Sequence, residues 1–315
     1  MSHIYVYSPS SAVRDKTAFR RGVARLKALG HEVEVDQSAL CSHTRFAGAD
    51  AVRLAAISRA AASAADLALI SRGGYGLTRL LAALPCAPLA RAIERGMQFV
   101  GMSDFTALQC ALYAQTGAQT WAGPCLLDDF GTLTEPDDIM AACFDDLLAA
   151  QGEGSGWRLP AADLSALAGC LQGRALPAGE PAFQLSQATL WGGNLSVLCA
   201  LVGTPYLPAV KGGVLFLEDV NEHPYRIERM LSQLLHAGIL GQQSALLLGS
   251  FNRFELSAHD RGFSLAKVVD WLRSQIRIPV LSGLPFGHVP TKVLLPFGRR
   301  VDLLVQGRQA LLYWG

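Results

Sequence analysis

The feature that most constrains this chain is the alternation, along its first third, of short apolar runs with longer stretches of helical spacing. Ile4 to Tyr7 form a β-prone run, followed by the turn Ser8-Pro9-Ser10-Ser11 and a stretch in which Val13, Phe19, Val23, Leu26 and Leu29 recur near helical spacing. Gly30 closes that stretch, and His31 to Val35 alternate polar and apolar as a second strand. A β-α-β opening takes a right-handed parallel crossover, so a doubly wound sheet is expected. The Ala-rich run from Asp50 to Ala65 is a strong helix former, and Asp66 to Ile70, Gln98 to Val100 and Gln119 to Ala122 supply further strands.

Two of these strand ends carry residues suited to chemistry. Behind the third strand comes Ser71-Arg72-Gly73-Gly74-Tyr75-Gly76, whose glycines allow the backbone to approach a ligand and point N–H groups at an anion, or simply to turn tightly. It is neither the dinucleotide fingerprint nor a Walker loop. Behind the fourth, Phe99-Val100-Gly101-Met102-Ser103-Asp104 runs straight into a helix, with Asp104 and Thr106 placed to cap the free N–H groups of its first turn. Ser103 is either a further cap or a nucleophile facing the crevice where open α/β sheets bind ligands. In one parallel sheet the glycine loop and Ser103 share the same rim, which favours chemistry.

At 315 residues the chain suits two domains, and with half its residues hydrophobic and 17% charged it is globular. Lys plus Arg number 27 against 26 Asp plus Glu, so no global field favours nucleic acid or an anionic membrane. No apolar run approaches the ~18 residues that span a bilayer, and Met1-Ser2-His3-Ile4 lacks the order of a signal peptide. A cytoplasmic protein with a small, specific ligand is expected. The seven scattered cysteines form no Cys-x-x-Cys pair and read as reduced core residues, and no metal site is indicated.

Residues 1–150 are expected to form the α/β domain, with helix from Thr132 to Ala150. Gln151-Gly152-Glu153-Gly154-Ser155-Gly156 opens a linker expected over 151–179, and 180–315 read as a second domain of short strands and few helices. In it, Val214 to Leu217 form a strand ending in Glu218-Asp219-Val220-Asn221-Glu222, and a helix from Tyr225 to Ala237 buries Ile227, Met230, Leu231, Leu234 and Leu235. Ala245 to Gly249 form another strand and Phe263 to Ile276 another helix. His288 sits between Gly287 and Pro290, a constrained loop matched by no other histidine of the chain. Val293 to Leu295, Val301 to Val305 and Ala310 to Tyr313 are expected to close the domain as an antiparallel meander.

Arg72-Gly73-Gly74-Tyr75-Gly76 with Arg79-Leu80-Leu81, Gly101-Met102-Ser103-Asp104 with Thr106-Ala107-Leu108, Gly192-Gly193-Asn194-Leu195-Ser196 with Gly203-Thr204-Pro205, Leu217-Glu218-Asp219-Val220 with Glu222 and Pro224-Tyr225-Arg226, and Gly287-His288 occur in that order over nearly the whole chain. Together they resemble the LD-carboxypeptidase family, serine peptidases that include muramoyltetrapeptide carboxypeptidases and microcin-immunity peptidases. The resemblance implies a Rossmann- or flavodoxin-like N-terminal domain with a smaller β-rich C-terminal domain. It implies Ser103 as nucleophile, His288 as general base and Glu218 as the carboxylate orienting it, with the backbone N–H groups of Gly74 and Asp104 as oxyanion hole. Gly73 and Tyr75 would line the substrate; Glu222 is either a solvated acid at the start of a helix or a contact for a substrate ammonium group.

The implied reaction releases D-alanine from the L-centre of a diamino acid in peptidoglycan tetrapeptides during cytoplasmic recycling, with no metal or organic cofactor, in a homodimer. One departure is Ala122-Gly123-Pro124 where family members often have His-Gly-Pro; it bears on specificity, not on the triad. The alternatives are an immunity-type peptidase or amidase acting on acyl-adenylate peptide antibiotics, and a non-catalytic two-domain binding protein.

Overall fold

A computed structural model describes residues 1–170 and 181–315. Chain order is β1 (His3–Tyr7), α1 (Lys16–Ala28), β2 (Glu32–Val35), α2 (Asp50–Ala62), β3 (Leu67–Ile70), α3 (Cys86–Glu94), β4 (Gln98–Gly101), α4 (Phe105–Thr116), β5 (Thr120–Ala122) and α5 (Asp138–Leu148). It continues with β6 (Gly154–Arg158), α6 (Ala161–Cys170), β7 (Phe183–Asn194), α7 (Leu195–Ala200), β8 (Val214–Val220), α8 (Pro224–His236), β9 (Ala245–Asn252), α9 (Leu265–Gln275), β10 (Val280–Ser282), β11 (Leu295–Phe297), β12 (Arg300–Gln306) and β13 (Gln309–Tyr313). Two compact units result: Met1–Gly152 with Gly203–Pro208 and Pro290–Gly298, and Glu153–Val202 with Ala209–Val289 and Arg299–Gly315.

The first unit is built on a six-stranded sheet of order β2-β1-β3-β4-β5-β11, parallel except for β11. Parallel strands covered on both faces read as continuous apolar runs, and β3 is buried at every position. Ile4, Val6, Leu67, Leu69 and Val100 pack with Phe19 and Leu26 of α1 and Phe144 of α5. The strand order reverses between β1 and β3, so the loops leaving those two strands diverge and open a crevice at their C-terminal ends. The Ser8–Ser11 turn and the glycine loop are those loops, tied together by Ser71 N–H donating to Tyr7 O (2.7 Å) and by the Ser8 and Ser71 hydroxyls (2.6 Å).

The second unit holds a seven-stranded sheet, β10-β9-β8-β7-β12-β13-β6, parallel from β10 to β7 and antiparallel from β7 to β6. Parallel neighbours need crossovers, usually helical. That is why this unit carries α7, α8 and α9; the helical spacing gives α8 and α9, and only α7 of these was not expected. On α8, Ile227, Leu231 and Leu234 are buried, as the helical spacing indicated, while Met230 and Leu235 are half-buried.

Further expectations need correction. Residues 154–170 of the expected linker form β6 and α6: the glycines of Gly154-Ser155-Gly156 suggest a break, but the strand is held by pairing with β13 and by buried Trp157, whose indole donates to Ser282 O at 3.0 Å. Residues 171–179 of that expected linker lie outside the described residues. Leu295 does not join the closing meander; β11 pairs antiparallel with β5 (Leu295 with Ala122) in the first unit, and the segment ahead of it is held there by buried Lys292 on Asp129 and by the Thr291 hydroxyl on Asp137. Cys41 is exposed and Cys143 and Cys170 half-buried, whereas Cys86, Cys110, Cys125 and Cys199 are buried as core residues should be. Among the described residues no helix is long and apolar enough to cross a membrane.

Candidate active site

In the first unit, β4 ends at Gly101 and α4 starts at Phe105, so the chain reverses within three residues. Ser103, at the bend, has φ +63°. A non-glycine residue in the left-handed region costs about 1–3 kcal/mol, and such strain gathers at functional sites. A nucleophile on a sharp strand-to-helix turn has this kind of strained backbone.

Gly73 lies directly against this serine: a Cβ there would stand 2.7 Å from Ser103 Cβ and 2.8 Å from Oγ. Only glycine lets the loop come so close. Gly74 is exposed with φ +104°, and a Cβ on it would collide with Ser11 Oγ. That same hydroxyl accepts Tyr75 N–H at 3.0 Å and so fixes the loop's path. Tyr75 is 43% exposed, beside Phe46 (5.8 Å between ring centres) and under the Arg45 guanidinium at 5.4 Å.

Asp104 does not cap α4. Its carboxylate is buried and turns back to accept Ser10 Oγ at 2.5 Å and Leu77 N–H at 2.9 Å. Burial pushes its pKa up, and those two donors oppose the shift. The side chain thereby braces the turn after β1 and the far end of the glycine loop against the bend that carries Ser103. Ala122 is buried in β5 beside Gly101.

In the second unit, parallel pairing of β7 with β8 sets Asn194 beside Glu218. Glu218 is fully buried, its Oε2 2.7 Å from His288 Nδ1 and its Oε1 accepting Asn194 Nδ2 at 3.1 Å. A carboxylate that accepts at this contact puts a ring proton of His288 on Nδ1. Asn252 Nδ2 donates to the His288 carbonyl at 3.0 Å and steadies the loop from behind.

The same Asn194 amide donates to Asp219 at 3.0 Å, and Asp219 also accepts Ser196 N–H at 2.9 Å and Val220 N–H at 2.8 Å. Burial, and then the neighbouring Glu218 charge, push its pKa up to about 6. Glu222 is half-buried, 3.6 Å from Arg226 one helical turn on.

Ser103, Gly73, Gly74, Tyr75 and Asp104 are thus gathered in the first unit, and Glu218, His288 and Glu222 belong to the second. Sequence reasoning gave no role to Ser10, Ser11, Asn194 or Asp219. Asn194 left a signal, a residue of N-cap type closing a glycine pair before a helix, and Asp219 another, an acid beside Glu218 at a strand end. Among the described residues no three His, Cys, Asp or Glu side chains converge as a metal site.

A strained serine with a glycine loop against it, and a histidine held on a buried carboxylate, are the parts from which serine peptidases are made. Residues 4–123 match the LD-carboxypeptidase N-terminal domain and residues 187–303 the LD-carboxypeptidase C-terminal domain. This chain belongs to the LD-carboxypeptidase family. The crystal structure of a muramoyltetrapeptide carboxypeptidase from Oxalobacter formigenes superposes with a TM-score of 0.84 at 36% identity, covering 100% of this chain and 99% of that one. The murein tetrapeptide carboxypeptidase of Pseudomonas aeruginosa is 31% identical over 239 residues, 74% of this chain and 70% of that protein. The microcin C7 self-immunity protein MccF of Escherichia coli is 31% identical over 217 residues, 65% of this chain and 62% of that protein.

Proposed function

We propose that this protein is a serine LD-carboxypeptidase that removes the terminal D-alanine from peptidoglycan tetrapeptides in cytoplasmic cell-wall recycling. The reading is carried by Ser103, held in a left-handed bend against a glycine loop that has no room for a side chain. Two relatives named for murein or muramoyl tetrapeptides support the substrate class.

In the proposed reaction Ser103 Oγ attacks the carbonyl carbon of the diamino acid while His288 Nε2 takes the hydroxyl proton. The oxyanion is received by the N–H groups of Gly74 and Asp104, and Glu218 steadies the imidazolium through Nδ1. Collapse breaks the C–N bond, the proton passes from Nε2 to the departing amine, and D-alanine leaves. Water, deprotonated by the same Nε2, then cleaves the acyl-serine and restores the hydroxyl. Tyr75 and Glu222 are proposed to line the peptide, Glu222 meeting a substrate ammonium. The expected homodimer belongs to the same proposal and is read by light scattering.

The test is release of D-alanine from Lys- and diaminopimelate-containing tetrapeptides by wild type and by Ser103→Ala. Release by wild type, reduced by about 10³-fold or more in the variant, is expected. The likeness to MccF favours a second reading, a peptidase of immunity type. Cleavage of an aminoacyl-adenylate analogue in the absence of D-alanine release would move the assignment there.

A further inference from the structure

Arg72 opens the glycine loop and plays no part in the reaction as written. Arg72 is half-buried, its chain neighbours Ser71 and Gly73 are buried, and its Nη2 lies 3.9 Å from the position a Cβ would take on Gly74. Nη1 makes one long bond, 3.3 Å to Ala12 O. Among the described residues no carboxylate forms an ion pair with it, whereas its neighbours Arg53 and Arg79 both pair with Asp50. A charge that is partly withdrawn from water is favoured by a partner of opposite sign. Here the main chain holds the guanidinium at one nitrogen and leaves the rest of its planar fork for a partner that is not part of the fold.

We propose that Arg72 forms the subsite for the free carboxylate that ends the substrate peptide. This inference rests on the carboxypeptidase reading and deepens it. An exopeptidase must recognise the chain end, and the terminal carboxylate is joined to the scissile nitrogen through a single Cα. A cation that reads it therefore lies within about one residue's span, ~3.8 Å between consecutive Cα atoms, of the donors holding the scissile carbonyl. Arg72 stands beside Gly74, the proposed donor. A guanidinium fork suits a carboxylate bidentately, and an amidated end offers it no charge. Arg45 is the other candidate cation on this rim, but it is exposed and stacked on Tyr75.

The test is calorimetric titration of the Ser103→Ala protein with a tetrapeptide ending in D-alanine and with the same peptide ending in D-alaninamide, with and without Arg72→Met. The acid should bind about 10- to 100-fold more tightly than the amide, the double variant should bind both alike at the amide's level, and Arg72→Lys should recover part of the preference. Equal binding of acid and amide, or no binding of either, overturns the subsite. So does a double variant that loses affinity for both peptides to the same degree, since Arg72 would then only brace the loop through Ala12. An unchanged melting temperature is expected for Arg72→Lys. D-alanine release by wild type tests the carboxypeptidase reading separately, because the titration needs no turnover.

Discussion

The candidate site residues of the two units are held by different physics. In the first unit the chemistry is prepared by main chain: a serine in left-handed conformation, two glycines admitting no side chain, and serine hydroxyls and a buried aspartate spent on tying loops together. In the second it is prepared by side chains, a hydrogen-bonded series running from Asp219 through Asn194 and Glu218 to His288. A main-chain device fails when anything is added to it, because close-packed backbone has nowhere to go. A side-chain series fails when a member is removed or its charge changed, because a buried polar group loses its partner.

That contrast predicts opposite sensitivities, read with D-alanine release as the assay. The largest expected effect comes from Glu218→Gln, which keeps shape and removes charge: kcat should fall about 10³- to 10⁴-fold with KM little changed, since the amide neither favours the required tautomer nor stabilises imidazolium. In the first unit the damaging change is an addition. Gly73→Ala forces a methyl into the space of Ser103 Cβ and Oγ and should lower kcat/KM about 10²- to 10³-fold while the folding transition persists. Full activity in Gly73→Ala would break the contrast.

The smallest effect is on stability and concerns Asp219 of the second unit. With Asp219 titrating near 6 in the folded protein and at its ordinary value of 3.8 when unfolded, the folded state holds the extra proton between those values. Its contribution to stability therefore falls as pH rises from about 4 to about 6 and is level above. Asp219→Asn should remove that fall, so that its stability relative to wild type is greater at pH 7 than at pH 4.5 by on the order of 2 kcal/mol. Urea denaturation at the two pH values measures it, and an equal difference at both would show that Asp219 ionises normally.

What could be read in the sequence follows from how locally each feature is encoded. The parallel sheet of the first unit was legible because β1, β3 and β4 are apolar runs punctuated by turns, and the bend at Ser103 because a strand, a glycine and a helix start surround it. His288 stood out through Gly287 and Pro290. The hydrogen bond between Asn194 and Glu218 was not legible, because it depends on the register of β7 with β8, two strands far apart in the chain. Asp104 looked like a helix cap, since no local pattern tells that its carboxylate is better satisfied by Ser10 and Leu77 N–H. β11 was read with the strands that follow it; the buried Lys292 on Asp129, which holds the preceding segment in the first unit, is a long-range pairing.

The proposed reaction makes the Ser103 hydroxyl depend on His288 for its reactivity. Labelling with a fluorophosphonate, followed by peptide mass spectrometry on wild type and His288→Ala, tests it most directly, because the reagent reacts only with a serine whose hydroxyl has a base to take its proton. The account predicts a single adduct on the peptide containing Ser103 and its near-complete loss in His288→Ala. An adduct elsewhere, or labelling of Ser103 that persists undiminished without His288, would contradict it.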